Sequence, residues 1–330
     1  MKILVIQLGG TIGCTLENGV LVPTADLKDE FKSIAFEFNG ITFDTKVHKL
    51  FLSEYLDGAR ISIILKDVKK AVQNKKYSGI ILTYGSDTTA YLSCALAYAL
   101  GNECIPVVTV CSEAPVSDPV SSAKMNLRAA VALIASESAK GVFAVYKSTQ
   151  TEANVFRATR LLRHKAYEKD LSCVGQPYGK VVFNAPANPI FYKNPSFTEK
   201  KDEIPPIEAK LKQTSPVMHV LVYPGMVCPK LPFGCKAVIL SSYHSGTVDT
   251  DNEKLFRFTK KCKRKNIPVF VDGISDGAEY ESMQKYDAFG LTRLPANTSP
   301  VAMYMKLWML IAGGFGADNF SLSLGGDIEK

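Results

Sequence analysis

The stretch GIILTYGSDTTAYLSCALAYAL, residues 79–100, decides the fold. Gly79 to Thr83 is a short apolar run with no polar alternation, the pattern of a strand buried on both faces. Gly85 interrupts it, and Thr88 to Leu100 continues as a helical stretch. The same unit recurs on either side. Lys2 to Leu8 reads as a buried strand ended by Gly9-Gly10. Arg60 to Asn74 carries Ile61, Ile64, Leu65, Val68 and Val72 at helical spacing. Pro106 to Val110 is a further strand, Asn126 to Ser138 a helix and Val142 to Tyr146 a strand. Strand and helix in alternation at these lengths predict a parallel sheet covered by helices on both faces.

Between Pro186 and Pro216 the composition turns to Pro, Lys, Glu and Asn without periodicity, which reads as an exposed linker. The pattern then restarts: strands at His219 to Tyr223, Ala237 to Ser241 and Pro268 to Asp272, and helices at Asn252 to Lys265 and Val301 to Ile311. The expected fold class is α/β, with a larger N-terminal parallel-sheet domain over 1–190, a linker over 191–215 and a smaller C-terminal α/β domain over 216–330. No internal repeat or low-complexity tract is visible.

Composition fits a globular chain of this size. Of 330 residues 46% are hydrophobic and 22% charged, with 39 Lys and Arg against 32 Asp and Glu. That excludes disordered and collagenous classes, and no apolar run approaches the ~20 residues of a membrane span. The opening MKILVIQLGG has no small-residue cleavage site, so the expected address is cytoplasmic. The eight cysteines are scattered without a C-x-x-C pair, which speaks against zinc and against a disulfide framework. The densest basic run, Lys260 to Lys265, lacks interleaved aromatics and reads as a solvated helix end, not a nucleic-acid surface.

In open parallel sheets ligands bind beyond the carboxyl ends of strands. Three loops qualify: Gly9-Gly10-Thr11-Ile12-Gly13, Leu52-Ser53-Glu54-Tyr55 and Tyr84-Gly85-Ser86-Asp87-Thr88. The first could be a plain tight turn; as a dinucleotide loop its glycines have the wrong spacing. Ser86-Asp87 could simply cap the following helix. The four histidines sit in no Ser-His-Asp signature and no G-x-S-x-G elbow is present, so a hydroxyl nucleophile would rely on neighbouring hydroxyl, carboxylate and cationic groups.

At these residues the sequence resembles the bacterial-type L-asparaginase family, closer to its cytosolic form. Gly9-Gly10-Thr11-Ile12-Gly13 matches the first family signature, and Thr83-Tyr84-Gly85-Ser86-Asp87-Thr88 is similar to the second. Weaker likenesses are Asn126-Leu127 with Ala130, Val220 to Gly225, and Lys306-Leu307 in the last helix. The resemblance implies an amidohydrolase that converts L-asparagine to L-aspartate and ammonia through an acyl-enzyme on Thr11. Ser86 stands for the second catalytic Thr, Asp87 for the carboxylate that binds the substrate ammonium, and Arg163 for the family Lys, with Lys165 as the alternative register. Gly10, Ser53, Glu54 and Gly85 would shape the substrate site. Further departures are the missing loop Tyr, with Thr15 the nearest hydroxyl, Tyr84 in place of His, and Ser122 in place of Asp. These leave a second reading, a weakly active or non-catalytic relative that binds an amino acid. An ammonia-supplying tRNA amidotransferase component is the least expected, because the chain opens directly at the first strand. The resemblance implies no metal or organic cofactor, a small amino-acid amide as partner, no nucleic acid or membrane, and a homodimer or homotetramer.

Overall fold

The computed structural model describes residues 1–24, 27–168, 170–184, 187–273, 277 and 279–330, of which 317 and 318 by backbone alone. In chain order the elements are β1 (Lys2–Gly9), β2 (Cys14–Glu17), β3 (Val20–Pro23), α1 (Lys28–Glu37), β4 (Thr42–Phe51), α2 (Gly58–Gln73), β5 (Gly79–Thr83), α3 (Thr89–Leu100), β6 (Val107–Val110), α4 (Ala123–Ala135), β7 (Val142–Lys147), β8 (Glu152–Arg157), β9 (Gly179–Val182) and β10 (Ile190–Lys193). The second half adds β11 (Val217–Leu221), β12 (Ala237–Ser241), α5 (Glu253–Arg264), β13 (Val269–Asp272), α6 (Tyr286–Phe289), β14 (Leu291–Arg293) and α7 (Pro300–Ala312).

The fold is α/β with two sheets. Among the described residues the larger sheet runs β10-β9-β8-β7-β6-β5-β1-β4, parallel from β7 to β4 and antiparallel from β8 outward. The parallel strands bury both faces. Leu4, Ile6 and Leu8 of β1 pack with Ile64, Leu65 and Leu96 of α2 and α3, while Ile3 and Val5 pack on the other side with Phe31 and Ile34 of α1 and Leu127 of α4. This two-sided burial is why these strands read as continuous apolar runs. The smaller sheet, β11-β12-β13-β14, is parallel throughout.

Helix α7 sits between the sheets. Met303, Met305, Leu307, Met309 and Leu310 are all buried, in one continuous core with α2 and α3 and with Val217, Ile239 and Phe270 of the smaller sheet. A helix apolar around most of its circumference is what such a central position requires. No helix among the described residues is long and apolar enough to cross a membrane.

The structure differs from the sequence reading in places. Helix α4 begins at Ala123, three residues before the expected start, and β11 lies two residues earlier than expected. The start of the expected linker, Pro186, lies outside the described residues. The rest of that segment is not simply exposed: Ile207 and Leu211 are buried, and Glu203 and Asp202 accept hydrogen bonds from the backbone N–H groups of Ser323 and Gly325. Its apolar side chains fill gaps against α2, α3 and α7, a role that composition alone does not reveal.

Candidate active site

Strand β1 lies between β4 and β5, and the chain leaves β1 and β5 in opposite directions across the sheet. A crevice opens at such a reversal. The turns that follow β1, β4 and β5 meet there.

The contact is close because of two glycines. Gly10 has φ +82° and its backbone touches Gly85 and Tyr84; a Cβ would overlap Gly85 N. A Cβ on Gly85 would overlap the Ser53 hydroxyl. Gly10 therefore fits both the left-handed backbone and the approach, and Gly85 fits the approach. Each glycine is followed by a short 3-10 turn, Thr11–Gly13 and Ser86–Thr88, and Ser53–Tyr55 forms the third. Among the described residues no hydrogen bond occupies the Thr11 or Ser86 hydroxyl, and both side chains are half-buried.

Around these hydroxyls the polar groups are tied down. Ser53 is buried and donates from Oγ to Asp87 Oδ2 at 3.1 Å. Thr88 Oγ1 donates to the Ser53 carbonyl at 2.8 Å and accepts from the Tyr84 phenol at 2.8 Å. Burial pushes the Tyr84 phenol well up, so it stays a donor. The helix-cap alternative is not realised: α3 is preceded by Thr88, which makes no side-chain cap bond, and Asp87 receives Ser53 instead.

The loop after β6 closes another side. Val116 N donates to Ile12 O at 3.1 Å, stitching that loop to the first turn. Ser122 donates through both N and Oγ to Glu113, whose other donor is the Tyr146 phenol at 3.2 Å. Where the family resemblance expects a carboxylate at 122, this chain has Ser122 bound to the Glu113 carboxylate.

A cleft of about 460 Å³ opens beside the turns, lined by Glu54, Leu56, Ile61, Asp87, Thr88, Tyr91, Arg163, Tyr304, Met305 and Trp308. Arg163 thus faces Glu54 and Asp87 across one space. It forms no ion pair among the described residues, yet its charge acts on the Tyr91 phenol and on the His219 imidazole. Lys165 points elsewhere, paired with Glu168 at 3.0 Å and mostly exposed. Gly10, Ser53 and Gly85 pack on one another, while Glu54, Asp87 and Arg163 line the open cleft. Sequence reasoning passed over Tyr91, Tyr304 and Trp308. The one available signal was Trp308, the sole Trp of the chain, four residues after a Tyr on a helix.

Residues 2–185 match the family model described as Asparaginase, N-terminal. The chain belongs to the asparaginase family. Its relatives include a component of the glutamyl-tRNA(Gln) amidotransferase of Pyrococcus abyssi, 25% identical over 259 residues, which are 76% of this chain and 58% of that protein. The corresponding amidotransferase component of Saccharolobus solfataricus is 27% identical over 334 residues, 94% of this chain and 71% of that protein. The chain therefore spans less than two thirds of the first of these relatives. Among solved structures, the thermostable L-asparaginase from Thermococcus kodakarensis superposes with a TM-score of 0.78 at 20% identity, covering 100% of both chains. L-asparaginase I from Vibrio cholerae gives 0.73 at 20% identity, covering 100% of this chain and 99% of the other. At such identities the likeness shows a shared asparaginase fold.

Proposed function

We propose that this asparaginase-family chain hydrolyses the side-chain amide of L-asparagine, with Thr11 as nucleophile. The observation that carries the reading is the meeting of the three turns at Gly10, Ser53 and Gly85, with the Ser53 hydroxyl on the Asp87 carboxylate and, among the described residues, no hydrogen bond on the Thr11 or Ser86 hydroxyl. Asp87 and Glu54 take the substrate ammonium. Thr11 Oγ attacks the amide carbon while its proton passes through the Ser86 hydroxyl to the amide nitrogen; the C–N bond breaks and ammonia leaves. Water then attacks the ester carbon, the bond to Thr11 Oγ breaks, and the hydroxyl regains a proton as aspartate departs. Arg163 brings a guanidinium to the cleft, which stabilises negative charge and does not serve as a base. We place the protein in the cytoplasm as a homodimer or homotetramer.

The test is ammonia release from L-asparagine, L-glutamine and D-asparagine, with Thr11→Ala as blank. Release from L-asparagine that disappears in the variant supports the reading and ranks the amides. Release that persists in Thr11→Ala excludes this nucleophile. One observation favours a second reading, that of an amino-acid-binding relative: the cation in the cleft is a guanidinium, with Lys165 turned away. Thermal stabilisation by asparagine or aspartate without any release would support that alternative.

A further inference from the structure

Tyr84 stands where the family resemblance expects His, and the larger sheet fixes where its hydroxyl lies. Its backbone N–H donates to the Val110 carbonyl at 2.9 Å, continuing the hydrogen bonding of β5 to β6, and its ring is fully buried, edge-on to Phe51 at 5.8 Å. Phe51 ends β4, so the ring touches the strand whose turn carries Ser53. The proton count sets the direction of the bonds beyond the ring. The Ser53 carbonyl has two lone pairs and takes Leu56 N at 3.1 Å and Thr88 Oγ1 at 2.8 Å, while the phenol stands off at 3.5 Å. The one Thr88 hydroxyl proton is spent on that carbonyl. Across the 2.8 Å contact between Tyr84 Oη and Thr88 Oγ1 the phenol is therefore the donor. Burial favours the protonated phenol and so preserves that proton.

The other side of Ser53 is equally constrained. A Cβ on Gly85 would overlap Ser53 Oγ, so that hydroxyl is wedged against the turn after β5, and it donates to Asp87 Oδ2 at 3.1 Å. Among the described residues Asp87 Oδ1 accepts no hydrogen bond and the carboxylate meets no cation, which leaves it one fixed oxygen and one open one. A carboxylate held by a single hydroxyl turns with the residue that supplies it. We infer that Tyr84 is a positioning residue for Asp87: its phenol orients Thr88, Thr88 holds the Ser53 carbonyl, and Ser53 aims the Asp87 carboxylate at the ammonium of an amino-acid ligand. Tyr84 is fully buried and acts without touching that ligand. The inference rests on the reading of Asp87 as the ammonium site and names what sets the affinity of that site.

The experiment is isothermal titration with L-aspartate, the product of the proposed reaction, of the unaltered protein and of Tyr84→Phe, Thr88→Val, Thr88→Ser, Ser53→Ala and the Tyr84→Phe, Ser53→Ala double variant. Ammonia release from L-asparagine is followed alongside. Tyr84→Phe keeps the buried ring and removes only the donor. Losing one hydrogen bond of the series predicts that Tyr84→Phe and Thr88→Val bind L-aspartate about five-fold or more weakly, while Thr88→Ser, which keeps the hydroxyl, stays within about two-fold of the unaltered protein. In Ser53→Ala the carboxylate has already lost its partner, so adding Tyr84→Phe changes the affinity by less than about two-fold. In ammonia release Tyr84→Phe raises KM and leaves kcat within about two-fold, whereas a smaller folded fraction would lower the rate at saturation and leave KM unchanged. An affinity that Tyr84→Phe does not change overturns the inference, as do losses from Tyr84→Phe and Ser53→Ala that multiply, a Thr88→Ser protein as weak as Thr88→Val, or no binding of L-aspartate by the unaltered protein. Ammonia release with an aspartate affinity indifferent to Tyr84 removes the positioning role and leaves the amidohydrolase standing. Tyr84-dependent binding of L-aspartate with no ammonia from L-asparagine keeps the positioning role and removes the hydrolysis.

Discussion

Gly10 shows how much a single residue decides here. Its positive φ and its contact with Gly85 let the turns after β1 and β5 touch backbone to backbone. Gly10→Ala adds a Cβ that the fixed backbone of residues 84 and 85 cannot yield to, at a cost of about 2–4 kcal/mol from strain and overpacking together. The expected result is a lowered urea midpoint and loss of ammonia release even in the folded fraction. A second residue sets a pH response. His219 is held below its usual 6.5 mainly by burial; Asp272 opposes this, and Arg163 adds to it. Because the folded protein disfavours the imidazolium, the unfolded chain takes up the proton first, and stability is lost as pH falls below 6.5. His219→Gln should flatten urea midpoints measured between pH 5 and 7. Asp272 acts in the opposite sense: burial raises its pKa, so its unfavourable contribution grows as pH rises past 3.8. At this scale the glycine-hydroxyl turns were legible because their signal is local. Tyr304 and Trp308 were not, since an aromatic pair on an apolar helix reads as core until the neighbouring sheet shows which side stays open.

At the level of elements, sequence pattern and structure agree where strands are buried on both faces. Strand β5 and strand β12 have the expected bounds, and α2 runs over the expected helix with a start two residues earlier. That start has a local cause: Asp57 accepts from Arg60 N at 2.8 Å and pairs with the Arg60 guanidinium. Asp57→Ala should cost about 1 kcal/mol of stability, read as a shift in denaturation midpoint with an unchanged slope. The elements without a pattern of their own are β4, the β2–β3 hairpin and the antiparallel strands. Strand β4 is only partly buried along its ten residues, with polar and apolar positions mixed, so neither a continuous run nor an alternation marks it. Among the described residues the hairpin of β2 and β3 is mostly exposed and pairs with itself, and β8, β9 and β10 continue the larger sheet antiparallel, with Ala153, Val155 and Val181 in the core that α4 covers. Such strands are specified by their neighbours more than by their own pattern.

For the molecule as a whole, two sheets in one chain were legible, but not the way the halves are joined. Tyr98 on α3 donates to Asp327 Oδ2 at 3.1 Å, and Lys306 on α7 pairs with the same carboxylate at 2.7 Å, all fully buried. Thr159 and Arg160 donate to the Gly325 and Gly326 carbonyls at 2.7 and 2.8 Å. Partners so far apart in sequence leave no periodic trace. Lys306→Met removes the ammonium from the buried Asp327 carboxylate and should cost about 3–5 kcal/mol; adding Asp327→Asn, which keeps an acceptor, should restore part of it. Chemical denaturation of the three proteins tests the pair, and equal stability for all would show the pair to be dispensable. The position of this carboxylate also bears on how the chain matures. Asp327 is synthesised 229 residues after its partner Tyr98. Until residue 327 has left the ribosome, the larger sheet can form but the clasp that fixes α7 across it cannot. The cleft wall carried by α7 is therefore set only after Asp327 has emerged. A nascent chain stalled short of Asp327 would carry the hydroxyl turns without a fixed wall beside them.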